Sequence, residues 1–290
     1  MKTWYLGIHM PSWLANERLA DVPVFISRRT FMDRRTGRYR KTFPRAVGRY
    51  AVDSGGFTEL KDFGKWTISA DEYIEFLERL QEETGPYDFA APRDRMCEPA
   101  VITGGTFAGL HFVGTGLTLE QHLELTAEDG VDMRQRAPHL RTMLVLQGWR
   151  KKDYHRCWDL YEQAGIDLTK EPVVGIGSVC RRQHMDEAAD ILDSLWDRGL
   201  RNMHGFGFKI TGLRTCWEQL ATADSMSWSK DGRHTPGCQH PPYARGKEPK
   251  NEANCLRFAL EWRNRNIAPP TRPRERQLTF DFATPLDLAA

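Results

Sequence analysis

The sequence predicts an α/β fold in which eight parallel strands and their connecting helices close into a (β/α)8 barrel of the TIM type. Three observations predict it: short β-prone runs recur along the chain, helical patterns separate several of them, and 290 residues suffice for one such domain. The runs lie at 4–8, 23–27, 50–54, 88–92, 143–147, 174–178, 204–208 and 223–228. The first two units are irregular and runs containing glycine are weak strand formers, so an open doubly wound sheet is the alternative.

Four segments between these runs have the pattern of amphipathic helices. The first two begin with capping boxes, formed by Ser69 with Glu72 and by Thr118 with Gln121. All four end at a glycine, which is common just after a helix. The predicted helices cover 69–85, 118–130, 151–165 and 182–199.

Composition favours a cytoplasmic protein with one main domain. Mean hydropathy is −0.58, and no apolar run approaches the roughly 20 residues that cross a bilayer. The apolar stretch at the N-terminus is too short for a secretory signal. The six cysteines are widely scattered, which argues against a disulfide framework. We assign residues 1–265 to the barrel domain and residues 266–290, which begin with a proline- and arginine-rich stretch, to an extended tail.

A basic segment at 28–49 lies behind the small net charge of +2. It holds eight arginines and one lysine against a single acid, with aromatic residues between them. Guanidinium groups bind phosphate oxygens in pairs and aromatic rings stack on bases, so the segment favours a nucleic-acid partner over a solvated basic loop. The candidate phosphate contacts are Arg34, Arg35, Arg38 and Arg40.

Polar residues follow several predicted strands at their carboxyl ends, where barrel enzymes carry their catalytic groups. Asp53 directly follows an apolar run and precedes a serine and two glycines. A buried carboxylate is tolerated at a strand end when partners or chemistry make use of its charge. The alternative, which this segment by itself favours, is a capping aspartate in a tight turn. For Asp94, an ion pair with Arg93 or Arg95 is the alternative. The other members of this set are Ser54, Arg93, Gln147, Ser178, Lys209 and Asp224.

The residue types in this set favour glycosyl transfer. The sequence lacks a phosphate-binding loop, a Gly-x-Ser-x-Gly nucleophile motif and a His-x-His pair after the first strand, so those enzyme classes recede. Two carboxylates that flank a sugar carbon can divide the chemistry: one attacks C1′ and the other moves protons. A further acid and an amide can read the edge of a purine.

Five motifs resemble those of the tRNA-guanine transglycosylases and follow the same order. They are VDSGGF (52–57), VLQG (145–148), VGIGSV (174–179), HGFGF (204–208) and ATADSMSW (221–228). Over most of residues 1–265 the chain more closely resembles their phage and bacterial relatives, the DpdA-type 7-deazaguanine DNA transglycosylases. The resemblance implies a DNA-binding pentosyltransferase that exchanges guanine for a free 7-deazaguanine base such as preQ0. An RNA-modifying enzyme and an inactive DNA-binding accessory protein are the alternatives.

The resemblance also implies roles for individual residues. Asp224 matches the nucleophile that attacks C1′ and forms a covalent intermediate, and Asp53 matches the general acid/base. Asp94 matches the acid that accepts the N1 and N2 hydrogens of the base. The remaining substrate-binding matches are Ser54, Phe57, Gln147, Gly148, Gly177, Ser178 and Gly205.

The resemblance further implies a structural zinc site, usually of three cysteines and one histidine. Here the element at 234–255 offers Cys238, His240 and Cys255, with His234 as a possible fourth ligand. Such thiolate and imidazole groups suit tetrahedral zinc, whereas the alternative is a pair of ordinary buried thiols.

The tail contains the peptide QLTFDF at 277–282. A glutamine followed by spaced apolar residues resembles the peptides by which bacterial proteins bind the replication sliding clamp, so the clamp is a candidate partner. The alternation of apolar and polar residues equally permits a C-terminal strand that packs back on the barrel, which we favour.

Overall fold

The computed structural model describes residues 1–33, 35–107, 109–179, 185–237 and 250–267. Seven of the strands in this part of the chain form one parallel sheet, in the order β3-β2-β1-β9-β8-β7-β6. The two others form an antiparallel hairpin that the sequence did not reveal. The strands are β1 (Thr3–Ile8), β2 (Val24–Ser27), β3 (Tyr50–Asp53), β4 (Gly105–Phe107), β5 (Leu110–Phe112), β6 (Leu144–Leu146), β7 (Val174–Ile176), β8 (Met203–Gly205) and β9 (Leu220–Ser225).

The parallel sheet is curled, and a short segment around Ala90 connects its two edge strands. Val52 on β3 forms a parallel bridge with Ala90, and Ala90 forms another with Thr142, just before β6. This arrangement confirms the α/β fold and is compatible with a TIM-type barrel. The segment predicted as a strand at 88–92 lies between the two edge strands, but it is reduced to Ala90, which forms one isolated bridge on each side. Pro92 has no N–H with which to extend a ladder.

Alternation along the strands divides the core into two layers. Trp4 and Leu6 on β1 pack in the large cluster between the sheet and the helices, whereas Tyr5 belongs to a cluster with Phe25 and Phe89 on the opposite face of the sheet. The space enclosed by the curled sheet is therefore filled by aromatic and apolar side chains. The polar residues of interest lie at the strand ends.

The helices support this sheet from outside. The four predicted helices are present, and the described residues contain five shorter ones that were not predicted. Both predicted capping boxes are confirmed. The helix predicted to end at Gly130 continues for six more residues, because this glycine serves packing: a Cβ there would lie 3.0 Å from the Leu144 side chain and 3.1 Å from the Tyr161 hydroxyl. The helices are α1 (Gly56–Phe63), α2 (Ala70–Thr84), α3 (Pro99–Thr103), α4 (Leu119–Arg136), α5 (Lys151–Gln163), α6 (Met185–Asp197), α7 (Ile210–Thr215), α8 (Ser227–Gly232) and α9 (Leu256–Asn266).

The last predicted strand, 223–228, also differs from the prediction. The strand begins earlier and ends at Ser225, and α8 begins at Ser227. Ser225 and Ser227 hydroxyls lie 2.9 Å apart at this strand-to-helix junction. No helix within the described ranges is both long enough and apolar enough to span a bilayer. The tail peptide at 277–282 lies outside the described residues.

Candidate active site

The carboxyl ends of the parallel strands surround a cavity of about 370 Å³. Residues at the ends of β1, β2, β3 and β9 and in the segments after Ala90, β6, β7 and β8 all contribute to its wall. The predicted site residues in the lining are Asp53, Phe57, Asp94, Gln147, Gly177, Ser178 and Asp224. Seven of the ten predicted catalytic and substrate-binding residues therefore meet in one cavity.

The other three lie behind this wall. Ser54 is buried, and its hydroxyl lies 3.5 Å from Asp94 Oδ1. Gly148 and Gly205 provide space for buried rings: a Cβ would come within 2.7 Å of Tyr154 at the first position and 2.5 Å of Phe208 at the second. These two glycines support the wall through packing.

Asp53 ends β3, and the turn after it fixes its carboxylate. Its Oδ2 accepts the Gly55 N–H at 3.1 Å, and Gly55 has a φ of 84°, the left-handed region that glycine occupies without strain. Burial raises the pKa of Asp53, and the nearby Asp224 carboxylate adds to that rise, while a hydrogen bond with Ser27 opposes it. Asp53 therefore holds a proton more readily than an exposed aspartate does.

Arg28 braces the turn after Asp53 from behind. Its side chain is fully buried and forms an ion pair with the buried Glu59. Its Nε donates to the Ser54 carbonyl at 3.0 Å, and its Nη1 donates to the Tyr39 hydroxyl at 2.9 Å. The first arginine of the basic segment is thus a structural group, a role that counting charges did not reveal.

Asp94 is buried beside two arginines but pairs with neither. Arg93 and Arg95 both bind the Asp129 carboxylate instead, so the predicted alternative of an ion pair at Asp94 is wrong. Asp94 Oδ2 accepts a hydrogen bond from Gln147 Nε2 at 2.6 Å. Burial raises the pKa of Asp94 to about 7, and the Asp53 charge contributes to that rise against the Gln147 hydrogen bond.

Gln147 belongs to a chain of buried polar groups that continues to Glu98. Ser178 Oγ lies 2.8 Å from Gln147 Oε1 and 2.8 Å from Glu98 Oε2, and it accepts the Cys97 N–H. One hydroxyl proton serves only one of these two acceptors at a time. Gly177 is required here, because a Cβ would lie 2.1 Å from Gln147 Nε2.

Most of the other lining residues were not predicted from the sequence, and three of them shape the site most clearly. Glu98 is a buried acid whose one signal was its position four residues after Asp94. Phe206 and Met226 supply apolar wall and stand within quoted motifs, yet no pattern distinguished them from core residues. Together with Phe57, they give the cavity apolar surface beside its acids.

Asp224 is buried near the end of β9, one residue before the strand stops. Its Oδ1 accepts the Gly207 N–H at 2.9 Å. Because Gly207 follows β8, this bond ties the carboxylate to the neighbouring strand.

The basic loop, residues 32–40, follows a 3-10 turn at Arg28–Phe31 that leaves the carboxyl end of β2. Met32 and Tyr39 form an antiparallel bridge, and Asp33 accepts two backbone N–H groups within the loop. Thr30, just before the loop, lines the cavity. Of the predicted phosphate contacts, Arg35, Arg38 and Arg40 are exposed, whereas Arg34 lies outside the described residues.

The predicted zinc ligands fall mostly outside the described part of the chain. Cys238 and His240 lie there, whereas Cys255 is half-buried just before α9. Within the described ranges, no three His, Cys, Asp or Glu side chains are grouped to hold a metal. The zinc site therefore stays a prediction.

A comparison with known protein families gives a match over almost the whole chain. The model of one protein family, DpdA, described as "DeoxyPurine in DNA protein A", matches residues 1–286. No curated protein matches the chain. The matched range includes every residue of the cavity.

Proposed function

The chain belongs to the DpdA family, and from that membership and the cavity we propose that it is a transglycosylase that replaces guanine in DNA with a 7-deazaguanine. The observation that carries the proposal is the meeting of Asp53, Asp94 and Asp224 in one cavity. Its volume of about 370 Å³ falls in the range of small-molecule sites and suits a single base.

Two of the acids divide the chemistry. An Asp224 carboxylate oxygen attacks C1′ of the target nucleotide, the C1′–N9 bond breaks, and its electron pair leaves with guanine. Asp53, whose raised pKa keeps a proton available, protonates the departing base. Asp53 then takes the N9 proton of the incoming 7-deazaguanine, N9 attacks C1′, and Asp224 returns to a carboxylate. No proton is gained or lost over the cycle.

The third acid recognises the base. In its ionised form Asp94 accepts hydrogen bonds from the N1 and N2 hydrogens of guanine, which guanine and 7-deazaguanine share. Gln147 lies next to it, and its amide has a second N–H, beside the one donated to Asp94, that suits the O6 oxygen. The Ser178 hydroxyl helps to hold the Gln147 amide in place. Phe57 lines the same cavity and offers a ring on which the base stacks.

The basic loop holds the phosphate backbone. A base inside a duplex does not reach a buried carboxylate, so the target nucleotide is flipped out of the stack into the cavity. Arg35, Arg38 and Arg40 are exposed beside the residues that lead into the cavity, where they meet the flanking phosphates. Replacing each by glutamine should weaken DNA binding regardless of sequence and reduce the salt slope by about 0.9 per lost contact.

Arg49 is the matched control for the loop. It is exposed, pairs with Asp88 and precedes β3, so it lies at the end of the sheet opposite the cavity. Arg49→Gln removes the same charge and should leave the salt slope unchanged. Equal slopes for the loop variants and the control would reduce the loop to solvated surface.

The reaction is tested with Asp224→Asn. The unmodified protein should form an adduct with DNA that survives a denaturing gel and should incorporate labelled 7-deazaguanine, whereas the variant should do neither. Normal incorporation by the variant would refute the nucleophile assignment.

Competition between duplex DNA and tRNA decides the substrate. Mass spectrometry of nucleosides from the DNA of expressing cells identifies the product. Binding of DNA without any adduct would instead favour an inactive accessory protein.

We also propose one structural zinc ion held by Cys238, His240 and Cys255. The antiparallel bridge between Pro236 and Asn251 brings together the two ends of the segment that carries two of these ligands. Thiolate and imidazole groups are the donors that zinc prefers in structural sites, where it stabilises the fold.

A further inference from the structure

His204 is a buried polar group that the proposed chemistry does not use. It lies on β8 with no exposed surface. Four aromatic rings surround its imidazole, with ring centroids 4.8 to 6.2 Å away. They belong to Tyr5, Phe25, Phe89 and Phe206. A polar ring in such surroundings is destabilising unless its nitrogens are used.

The two nitrogens of His204 have different environments. Nδ1 lies 2.8 Å from the Thr222 hydroxyl. Nε2 is buried without a hydrogen bond, and it faces Asp224 Oδ1 at 3.4 Å. Thr222 and Asp224 are two residues apart on β9, so they project to the same face of the sheet and flank the imidazole.

An irregularity between β8 and β9 produces this alignment. Met203 pairs with Leu220, yet the next residue, His204, pairs with Thr222, so β9 contains one extra residue at this point. Bulges of this kind re-aim side chains and recur next to active sites. Without the extra residue, His204 would pair with Ala221, whose side chain projects to the opposite face from that of Asp224.

The surroundings of the imidazole favour the tautomer that carries the proton on Nε2. If the Thr222 hydroxyl donates to Nδ1, then Nε2 carries the hydrogen and points it at a carboxylate oxygen. The opposite tautomer would place an Nε2 lone pair against that oxygen, which is repulsive. At 3.4 Å the contact between Nε2 and Oδ1 is longer than a hydrogen bond, and contacts of this kind in a resting active site commonly tighten when substrate binds.

We propose that His204 is a positioning residue for Asp224 in the transglycosylase reaction, an inference that rests on the proposed function. Its Nε2–H joins the Gly207 N–H in holding Oδ1, so that the other oxygen, Oδ2, attacks the sugar carbon. When the incoming base displaces the enzyme, the same N–H stabilises the carboxylate charge that returns to Asp224.

Three variants test the role. His204→Phe keeps a ring inside the aromatic surroundings and removes the N–H, Thr222→Val removes the hydroxyl that fixes the tautomer, and His204→Gln keeps a donor. We expect His204→Phe to reduce the exchange rate constant about 10- to 100-fold per active site, with KM for DNA and base unchanged. Thr222→Val should show a smaller loss and His204→Gln a partial recovery. Active sites are counted from the adduct trapped on DNA.

Two results would overturn the inference. One is normal exchange per active site in His204→Phe. The other is a His204→Phe variant with a lower melting temperature and fewer active sites but an unchanged rate constant, which would indicate that His204 contributes through packing alone. Nitrogen-15 NMR of the resting, histidine-labelled protein gives an independent reading. We expect a proton on His204 Nε2, and its absence would overturn the inference whether or not the protein exchanges bases. Failure of the proposed function, in contrast, would appear as lack of exchange by the unmodified protein.

Discussion

Replacing Asp94 by asparagine should stabilise the protein more at pH 8 than at pH 5. The side chain is 8% exposed, and burial raises its pKa to about 7 from an unfolded value of 3.8. The folded protein therefore binds this proton more tightly than the unfolded chain does. Stability is intact below about pH 4, falls as the pH rises towards 7, and stays low above it.

The size of the effect follows from the same shift. Each pH unit between 5 and 7 removes about 1.36 kcal/mol from the free energy of unfolding, because the unfolded chain has lost the proton and the folded protein has not. The advantage of Asp94→Asn should grow by about 2–3 kcal/mol from pH 5 to pH 8. Asparagine fits the site, since its oxygen can accept from Gln147 and its amide can donate to Ser54.

Urea unfolding of both proteins at the two pH values measures this difference. Asp33→Asn is the control: Asp33 lies half-buried in the basic loop, and backbone N–H groups of Thr36 and Arg35 lower its pKa. Its contribution is complete above about pH 4 and is lost only below that, so the effect of Asp33→Asn should be the same at pH 5 and pH 8. If Asp94→Asn also gives equal differences at both values, Asp94 does not have the raised pKa and its neutral form plays no part at physiological pH.

Three further predictions concern the wall, the metal and the tail. Gly177→Ala should displace Gln147, because the new Cβ would lie 2.1 Å from Gln147 Nε2. We expect exchange assays to show KM for the free base raised about tenfold or more, and an unchanged KM would contradict the role of Gln147. Elemental analysis should find about one zinc per chain, and the Cys255→Ser variant should lose it. Less than about half an equivalent of zinc in folded, active protein would count against the site. If the tail peptide binds the sliding clamp, deleting 277–290 should abolish binding to the purified clamp while melting temperature and exchange stay normal. A large fall in melting temperature would instead mean that the segment packs on the barrel, as the favoured alternative predicts.

The sequence predicted the positions of the acids because of a property of parallel sheets. Strands that run in one direction bring their carboxyl ends to one edge, so Asp53, Asp94 and Asp224 meet although they are far apart in the chain. The capping boxes were equally readable, since they depend on residues only three positions apart. Local patterns and the strand order together were sufficient for these features.

What the sequence did not reveal depends on tertiary contacts. Arg28 looks like its exposed neighbours until Glu59, thirty-one positions later, is placed beside it. Glu98 follows no strand and belongs to no periodic pattern, so it is identified as part of the site by its position in the cavity lining and its contact with the Ser178 hydroxyl. Gly130 has the appearance of a helix end, but contacts from β6 and α5 make it a packing residue.

The charges around the cavity provide different binding places for the base and for the phosphate backbone of one nucleotide. The cavity lining contains four acids and, within the described residues, neither lysine nor arginine. A phosphate group would meet only repulsion there, whereas a neutral base that donates N–H groups satisfies the same acids. The exposed arginines lie outside, on the basic loop that follows β2. Because the lining attracts hydrogen-bond donors and the loop attracts phosphates, a flipped nucleotide finds both partners only when its base enters the cavity and its backbone stays at the rim.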